Sequence, residues 1–227
     1  MGYENQSERN FPENCFDFLI RFCYFGEMSP ETTIGLPSEL QADLEEYALG
    51  YLRQGRKDWD EPHTRAVVYY AHQIAENEGL DPLVLVTTAW LHDIGYHALF
   101  EAGQSNKYEE VMDRKKAHMV NGAKMAAEFL QRPEIQPHYT PEQVERIVHL
   151  VSIHDEIESL TDKDEIAFME ADTLGAIDIS RVTPTFDKES ARKYIGKDLM
   201  LRRFPRFLTR TGISTFARLL PPFEAFF

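Results

Sequence analysis

Apolar residues recur along this chain at the three- and four-residue spacing of amphipathic α-helices. The most apolar stretch, residues 83–91, has almost no polar side chain, so we predict a helix that is buried on all sides. An Asp-Pro pair precedes it, as is typical of a helix start, and Gly95 is a favoured stop. His92 and Asp93 lie side by side at its end. Because a buried, ionised carboxylate needs a partner, this pair is a candidate metal site.

The same periodicity, together with start and stop residues, predicts six further helices. Five are expected at residues 39–52, 60–78, 113–130, 164–178 and 189–203, and the sixth begins at the capping box formed by Thr140 and Gln143. Residues 1–36 are not assigned, and residues 100–108 are predicted to be a loop. No convincing alternation of apolar and polar residues predicts a strand, so the expected fold class is all-α.

Composition and charge limit the classes of function that this chain can have. The 227 residues are 43% hydrophobic and 12% aromatic, which is enough to bury a core. A formal net charge of −14 argues against a general role on nucleic acid backbones. The charge is uneven, because residues 188–218 carry a net +7 and the remainder carries −21. We expect this basic segment to pack against the acidic surface of its own chain, or of a second copy in a homodimer.

The two cysteines, Cys15 and Cys23, have neither CxxC nor zinc-finger spacing and are expected to be buried or incidental thiols in a reducing compartment. The first residues lack the basic and apolar regions of a signal peptide. The longest apolar run is too short to span a membrane. We therefore predict a soluble, cytoplasmic protein that binds neither membranes nor nucleic acid polymers.

Five positions with metal-ligand chemistry lie at helix ends or on apolar faces of five successive helices. They are His63, His92–Asp93, His118, His154 and Asp172. Imidazole and carboxylate donors suit iron, manganese, cobalt, nickel or zinc. Three other histidines are predicted to lie on the surface or in loops, and a fourth to face away from the stripe that carries His154; these are His72, His97, His138 and His149.

The order His, His-Asp, His, His, Asp resembles the HD-domain superfamily of metal-dependent phosphohydrolases. Residues 92–95 reproduce the HDIG string of that family, and residues 170–174 resemble its closing acidic motif. The resemblance implies an HD-domain-like helical bundle with helical extensions at both ends. The domains expected are an N-terminal extension with a leading helix (1–54), a metal-binding core (55–182) and a basic C-terminal extension packed on the core (183–227).

The resemblance also implies a ligand set. His63, His92, Asp93 and Asp172 would bind a first ion, and in members with two ions Asp93 would bridge to a second ion held by His118 and His154. One or two divalent transition-metal ions, chosen from Fe, Mn, Co, Ni and Zn, are therefore the expected cofactors. Two ions about 3.5–4 Å apart can clamp a phosphoryl oxygen and generate a hydroxide nucleophile near neutral pH.

A phosphorylated substrate needs local cations in so acidic a chain. Lys115 precedes His118 by three residues on one helix face, and Arg181 follows Asp172 by nine residues, so both are candidate substrate contacts. Asp93, His118 and Lys115 are the candidate catalytic residues.

The expected function is hydrolysis of a small phosphorylated compound, a nucleotide or another phosphate ester, by a metal-activated water. Two branches of the family fit less well. Tyr96 and His97 lie where some nucleotidase and alarmone-hydrolase branches place an acid, and the chain lacks the Lys after HDIG and the GYP string of the cyclic-dinucleotide branch. One alternative is a mixed-valent di-iron oxygenase similar to the inositol and phosphonate oxygenases. Another is a non-catalytic regulatory module with a structural metal.

Overall fold

The computed structural model describes residues 36–100 and 107–227, and within these ranges it contains helices and no strand. The predicted all-α class is confirmed. The α-helices are α1 (Ser38–Leu52), α2 (Asp60–Glu78), α3 (Pro82–Leu91), α4 (Tyr108–Leu130), α5 (Pro141–Ile153), α6 (Lys163–Ile177), α7 (Lys188–Lys193) and α8 (Arg210–Ala225). Three-residue 3₁₀ turns cover Ile94–Tyr96, Gln136–His138, Ile157–Ser159 and Phe204–Arg206, and α7 continues as a π-type helix over Tyr194–Arg203.

Helix α3 lies at the centre of the fold, as its composition predicts. Every residue from 84 to 91 is buried. The helix packs against α2 and α5, with further contacts to α1 and α6. Asp81 caps its start by accepting hydrogen bonds from the backbone amides of Leu83 and Val84. Because burial of each large apolar side chain stabilises a fold by about 1.5–3 kcal/mol, this helix anchors the segment that carries His92 and Asp93.

The structure bears out two predicted helix ends. Thr140 Oγ1 accepts from the amide of Gln143, and Gln143 Oε1 accepts from the amide of Thr140, which forms the capping box. Helix α2 ends at Gly79, whose φ of 66° lies in the left-handed region that glycine adopts at little cost.

Other boundaries differ from the prediction. Helix α4 begins at Tyr108, five residues before the predicted start, because Val111 already belongs to its buried face. The predicted helix over 189–203 changes to π-type hydrogen bonding at Tyr194, and no sequence signal marks that change. For helix α8 the sequence predicts only a helical C-terminal extension over 183–227, without the bounds of the helix. Both cysteines, residues 1–35 and residues 101–106 lie outside the described residues.

The chain after α6 returns to the core. Helix α8 packs on α6 and α2 and buries Phe216, Leu219 and Phe223. The buried carboxylate of Glu170 accepts hydrogen bonds from the backbone amides of Leu208 and Thr209, just before α8 begins. Apolar contacts and hydrogen bonds thus both place this segment beside α6. Among the described residues, no helix is long and apolar enough to cross a membrane.

Candidate metal centre

Asp93 lies between two pairs of histidines. Its Oδ2 is 3.3 Å from His92 Nε2 and 3.8 Å from His63 Nε2. Its Oδ1 is 3.5 Å from His118 Nε2 and 3.9 Å from His154 Nε2. The two oxygens of one carboxylate therefore face different imidazole pairs, which is the arrangement that a carboxylate bridging two ions needs.

Asp172 completes the first of these groups. Its Oδ1 is 3.0 Å from His63 Nε2 and 3.7 Å from His92 Nε2. The six residues with ligand chemistry, brought from α2, the end of α3, α4, the end of α5 and α6, are all buried. The structure thus brings together His63, His92, Asp93, His118, His154 and Asp172.

The donor atoms fit divalent metal ions. His92 Nδ1 lies 2.8 Å from the carbonyl oxygen of Ala89, and His154 Nδ1 lies 2.9 Å from that of Val151. A carbonyl can only accept, so each Nδ1 carries a proton and each ring directs its Nε2 into the cluster. His92 Nε2 is buried without a hydrogen-bond partner among the described residues. An unpartnered ring nitrogen among imidazoles and carboxylates suits a first-row transition metal once it is deprotonated.

The protonation states of most donors also suit metal binding. Burial opposes ionisation of Asp93, but His92 and Arg56 outweigh it and hold the pKa of the carboxyl well below its usual range. Burial, reinforced by repulsion from His154, lowers the pKa of His118 to about 3. Burial also lowers the pKa of His154. These two histidines are therefore neutral at physiological pH and present free lone pairs.

His92 differs, and this predicts how metal affinity depends on pH. Burial alone would lower its pKa, but the carboxylates of Asp93 and Asp172 and the Ala89 carbonyl together outweigh burial and raise the pKa to about 9. A proton on His92 therefore competes with the metal below that pH. We expect affinity for Zn²⁺ to increase about tenfold per pH unit between about pH 7 and about pH 9, as measured by competition with a chromophoric chelator. An affinity that stays constant over this range would contradict the assignment of His92 as a ligand.

Arg56 supports Asp93 and was not identified from the sequence. Its Nη2 lies 2.6 Å from Asp93 Oδ2, and its Nε pairs with the buried Asp60. The guanidinium lies 4.0 Å from the ring centroid of Tyr96, which stacks on His118 at 4.0 Å. Arg56 thus contacts a carboxylate of the cluster and, through Tyr96, one of its imidazoles. In the sequence, Arg56 lies in a polar stretch before α2, and nothing there distinguishes it from cations that lie on the surface.

Arg203 supports Asp172 from the C-terminal segment. Its Nη1 is 2.8 Å from Asp172 Oδ2 and 3.1 Å from Thr173 Oγ1. The same guanidinium pairs with Asp198 at 3.2 Å and with Asp155. The side chain is only 4% exposed, so these charged contacts are shielded from water. Arg203 is one of nine basic residues in 188–218, and the sequence does not single it out.

The two predicted phosphate contacts lie in different places. Lys115 lines the cavity in front of the cluster, where its Nζ is 2.8 Å from Asp155 Oδ1. Arg181 is not among the residues that line this cavity; its guanidinium lies 3.7 Å from the ring centroid of Tyr69, and its Nε is 3.3 Å from Asp178 Oδ2. The structure therefore brings Lys115, but not Arg181, to the site.

The remaining histidines lie outside the cluster. His72 was predicted to lie on the surface or in a loop, which is wrong, because it is buried in α2 at 1% exposure and pairs with Glu76. His97 and His138 are half-buried. His149 bonds Glu165 at 2.9 Å, on a different side of α5 from His154.

A close approach between two backbones positions His118. A Cβ placed on Gly95 would lie 2.0 Å from the carbonyl oxygen of His118 and 2.5 Å from the amide nitrogen of Gly122. Only glycine lets the turn after the His-Asp pair pack this closely on α4.

We therefore expect Gly95→Ala to destabilise the protein by about 1–3 kcal/mol, through the overpacking it forces, in urea unfolding. The same change should also weaken metal binding, because His118 must move. Gly50→Ala is the matched control. A Cβ at Gly50 in α1 meets nothing within 4 Å, so this change should raise stability by about 0.4–1 kcal/mol. Equal stabilities for the two variants would show that the close approach is absent.

Comparison with known proteins agrees with this geometry. A family model described as HD domain matches residues 62–181, which is more than half of the chain. The match runs from α2 to just beyond α6 and contains all six residues of the cluster. No curated protein and no solved structure matched the chain.

Proposed function

The chain belongs to the HD-domain family, and from that premise we propose that it is a metal-dependent hydrolase of a small phosphorylated compound. The observation that carries the proposal is the position of Asp93. One carboxylate faces two histidine pairs at the floor of a cavity, so a substrate can reach both candidate metal positions. A metal with a purely structural role needs no open path to a substrate.

The position of the cavity supports a small-molecule site. Its volume is about 70 Å³, and His63, Asp93, His154 and Asp172 are among the residues that line it. Bound transition-metal ions would supply Lewis acidity, polarising a phosphoryl oxygen and lowering the pKa of a water.

The charges around the cavity support a cation-dependent reaction. Three cations pair there with five carboxylates. The cations are Arg56, Lys115 and Arg203. The carboxylates are Asp60, Asp93, Asp155, Asp172 and Asp198. With neutral histidines the group carries an excess of two negative charges, which one divalent ion compensates. A second ion would make the site positive and attractive to an anionic substrate.

Individual residues have separate roles in this proposal. Arg56 and Arg203 keep Asp93 and Asp172 ionised and oriented, because each guanidinium holds one carboxylate oxygen. Lys115 is the cation placed to contact a phosphate oxygen as a point charge. The apolar side chains Val111 and Met112 beside it limit access of bulk water.

The proposal is tested with protein loaded with Mn²⁺ or Co²⁺ and assayed without oxygen against nucleotides and simple phosphate esters. Release of phosphate that is abolished by chelation is expected. Turnover that requires both iron and O₂, with no phosphate release from any redox-inert metal form, would instead indicate the di-iron oxygenase. Absence of both reactions from a protein with bound metal would indicate a regulatory module.

A further inference from the structure

We propose that the substrate of this site carries a flat apolar group, held against a row of aromatic rings beside the metal cluster, and has only one phosphate. This inference rests on the proposed function, since it names the substrate class of the same site. The row, called here the aromatic wall, consists of Trp59, Phe186, Tyr194 and Phe223, all of which line the cavity.

The aromatic wall is continuous with the cluster. Trp59 stacks on His63 with ring centroids 5.2 Å apart and an interplanar angle of 18°. Phe186 follows Trp59 at 6.4 Å and 25°, and Tyr194 follows Phe186 at 5.8 Å. Phe223 lies 6.3 Å beyond Tyr194. A ligand whose polar head reaches the histidines therefore has aromatic surface beside the rest of its structure.

Three of the four rings of the wall keep surface that is open to a ligand. Trp59, Phe186 and Tyr194 are each half-buried, although they line a concave surface. Val111 and Met112 of α4 also line the cavity, and both are apolar. Concave sites that combine apolar walls with a few convergent polar groups are typical of small-molecule binding.

The charges of the cavity limit the substrate to one phosphate. The cations that line it, among the described residues, are Arg56, Lys115 and Arg203, and each is already paired with at least two carboxylates. Beyond the metal ions that the cluster would hold, a polyphosphate chain needs further side-chain cations, which this cavity does not supply. The polar head that fits is a single phosphate directed at the cluster.

The aromatic wall lies outside the segment that matches the family model. All four of its residues lie outside the segment 62–181 that matches the family model, with Trp59 before it and the other three after it. The matched segment supplies the candidate metal ligands together with Val111 and Met112, and the flanking segments supply the aromatic wall. Substrate selection is therefore assigned to the segments that flank the match.

Tryptophan fluorescence provides a direct binding test. The chain has two tryptophans, Trp59 in the cavity and the buried Trp90, so a Trp90→Phe variant leaves one reporter in the aromatic wall. Full-length, Zn²⁺-loaded protein is titrated with phenylphosphonate, and with methylphosphonate as the probe that has the same head and no ring. We expect the Trp59 signal to change and phenylphosphonate to bind at least about tenfold more tightly.

Two alanine variants separate the wall from general effects. Phe186→Ala, which touches none of the candidate ligands, should reduce the preference for phenylphosphonate by about two- to tenfold. Phe226→Ala, at a ring that is 49% exposed and outside the cavity, should leave the preference unchanged.

Equal affinity for the two phosphonates, or ATP binding as tightly as phenylphosphonate, would overturn the inference. An unchanged preference in Phe186→Ala would also overturn it. The protein could also prefer phenylphosphonate through Phe186 and yet hydrolyse no phosphate ester. That result would support the apolar subsite and refute the proposed hydrolase.

Discussion

Asp93→Ala protein is expected to lose most of its bound metal and its phosphate-releasing activity. Asp93 is the residue whose two oxygens face both histidine pairs, so its loss removes a donor from each candidate metal position. We expect metal affinity to fall by more than about 100-fold, because loss of even an outer-shell partner costs about 10–100-fold. Metal content after dialysis, measured by plasma emission spectrometry, is the primary readout.

A control is needed because Asp93 also pairs with Arg56. Arg56 retains Asp60 in the variant, so it does not become an unpaired buried charge. Circular dichroism should therefore show a folded protein. Asp164→Ala, which removes a partly exposed carboxylate paired with Arg146, should keep its full metal content. Unchanged metal content and activity in Asp93→Ala would refute the site assignment.

Arg203→Ala is expected to have the second large effect, on stability and on the site together. The change removes the guanidinium shared by Asp172 and Asp198. Asp198 retains Arg202, but Asp172 keeps only histidine partners, and loss of one partner from a buried ion pair costs about 3–5 kcal/mol. Urea unfolding of chelator-treated protein measures this loss. In the same variant, metal affinity should fall by about 10–100-fold, because Asp172 is no longer oriented.

Two further variants distinguish this role from nonspecific damage. Arg203→Lys keeps the charge but lacks the planar guanidinium that donates to several carboxylates at once. Its stability and metal affinity should therefore lie between those of wild type and Arg203→Ala. Arg210→Ala removes an exposed cation from the same segment and should change stability by no more than about 0.5 kcal/mol. A metal-replete, fully stable Arg203→Ala protein would show that the C-terminal segment does not support the site.

Short-range sequence patterns were sufficient to predict much of the fold. The start of α3, the end of α2 at Gly79 and the capping box at Thr140 depend on residues within four positions of each other, so they are visible in the chain itself. The burial of α3 follows from its composition. Their positions at helix ends or on apolar faces nominated the six candidate ligands, and the resemblance of their order to the HD-domain superfamily predicted that they converge.

Other features depend on contacts between distant segments. The start of α4 and the bounds of α8 are set by burial against the core, which propensity alone does not report. The π-type helix over Tyr194–Arg203 likewise is not marked by any local sequence pattern.

By itself the sequence determined the helical class and the main helix ends, because both are encoded in spacing along the chain, and the order of its imidazole and carboxylate residues predicted a ligand set through the resemblance to the HD-domain superfamily. Only the tertiary structure decided which cations serve the site. It selected Arg56 and Arg203 and left Arg181 beside Tyr69, 3.7 Å from the centroid of that ring. It also assembled the aromatic wall from residues up to 164 positions apart, Trp59 and Phe223. The physical reason is that a basic or aromatic residue acquires its role from what packs around it, and nothing near it in the chain specifies that environment.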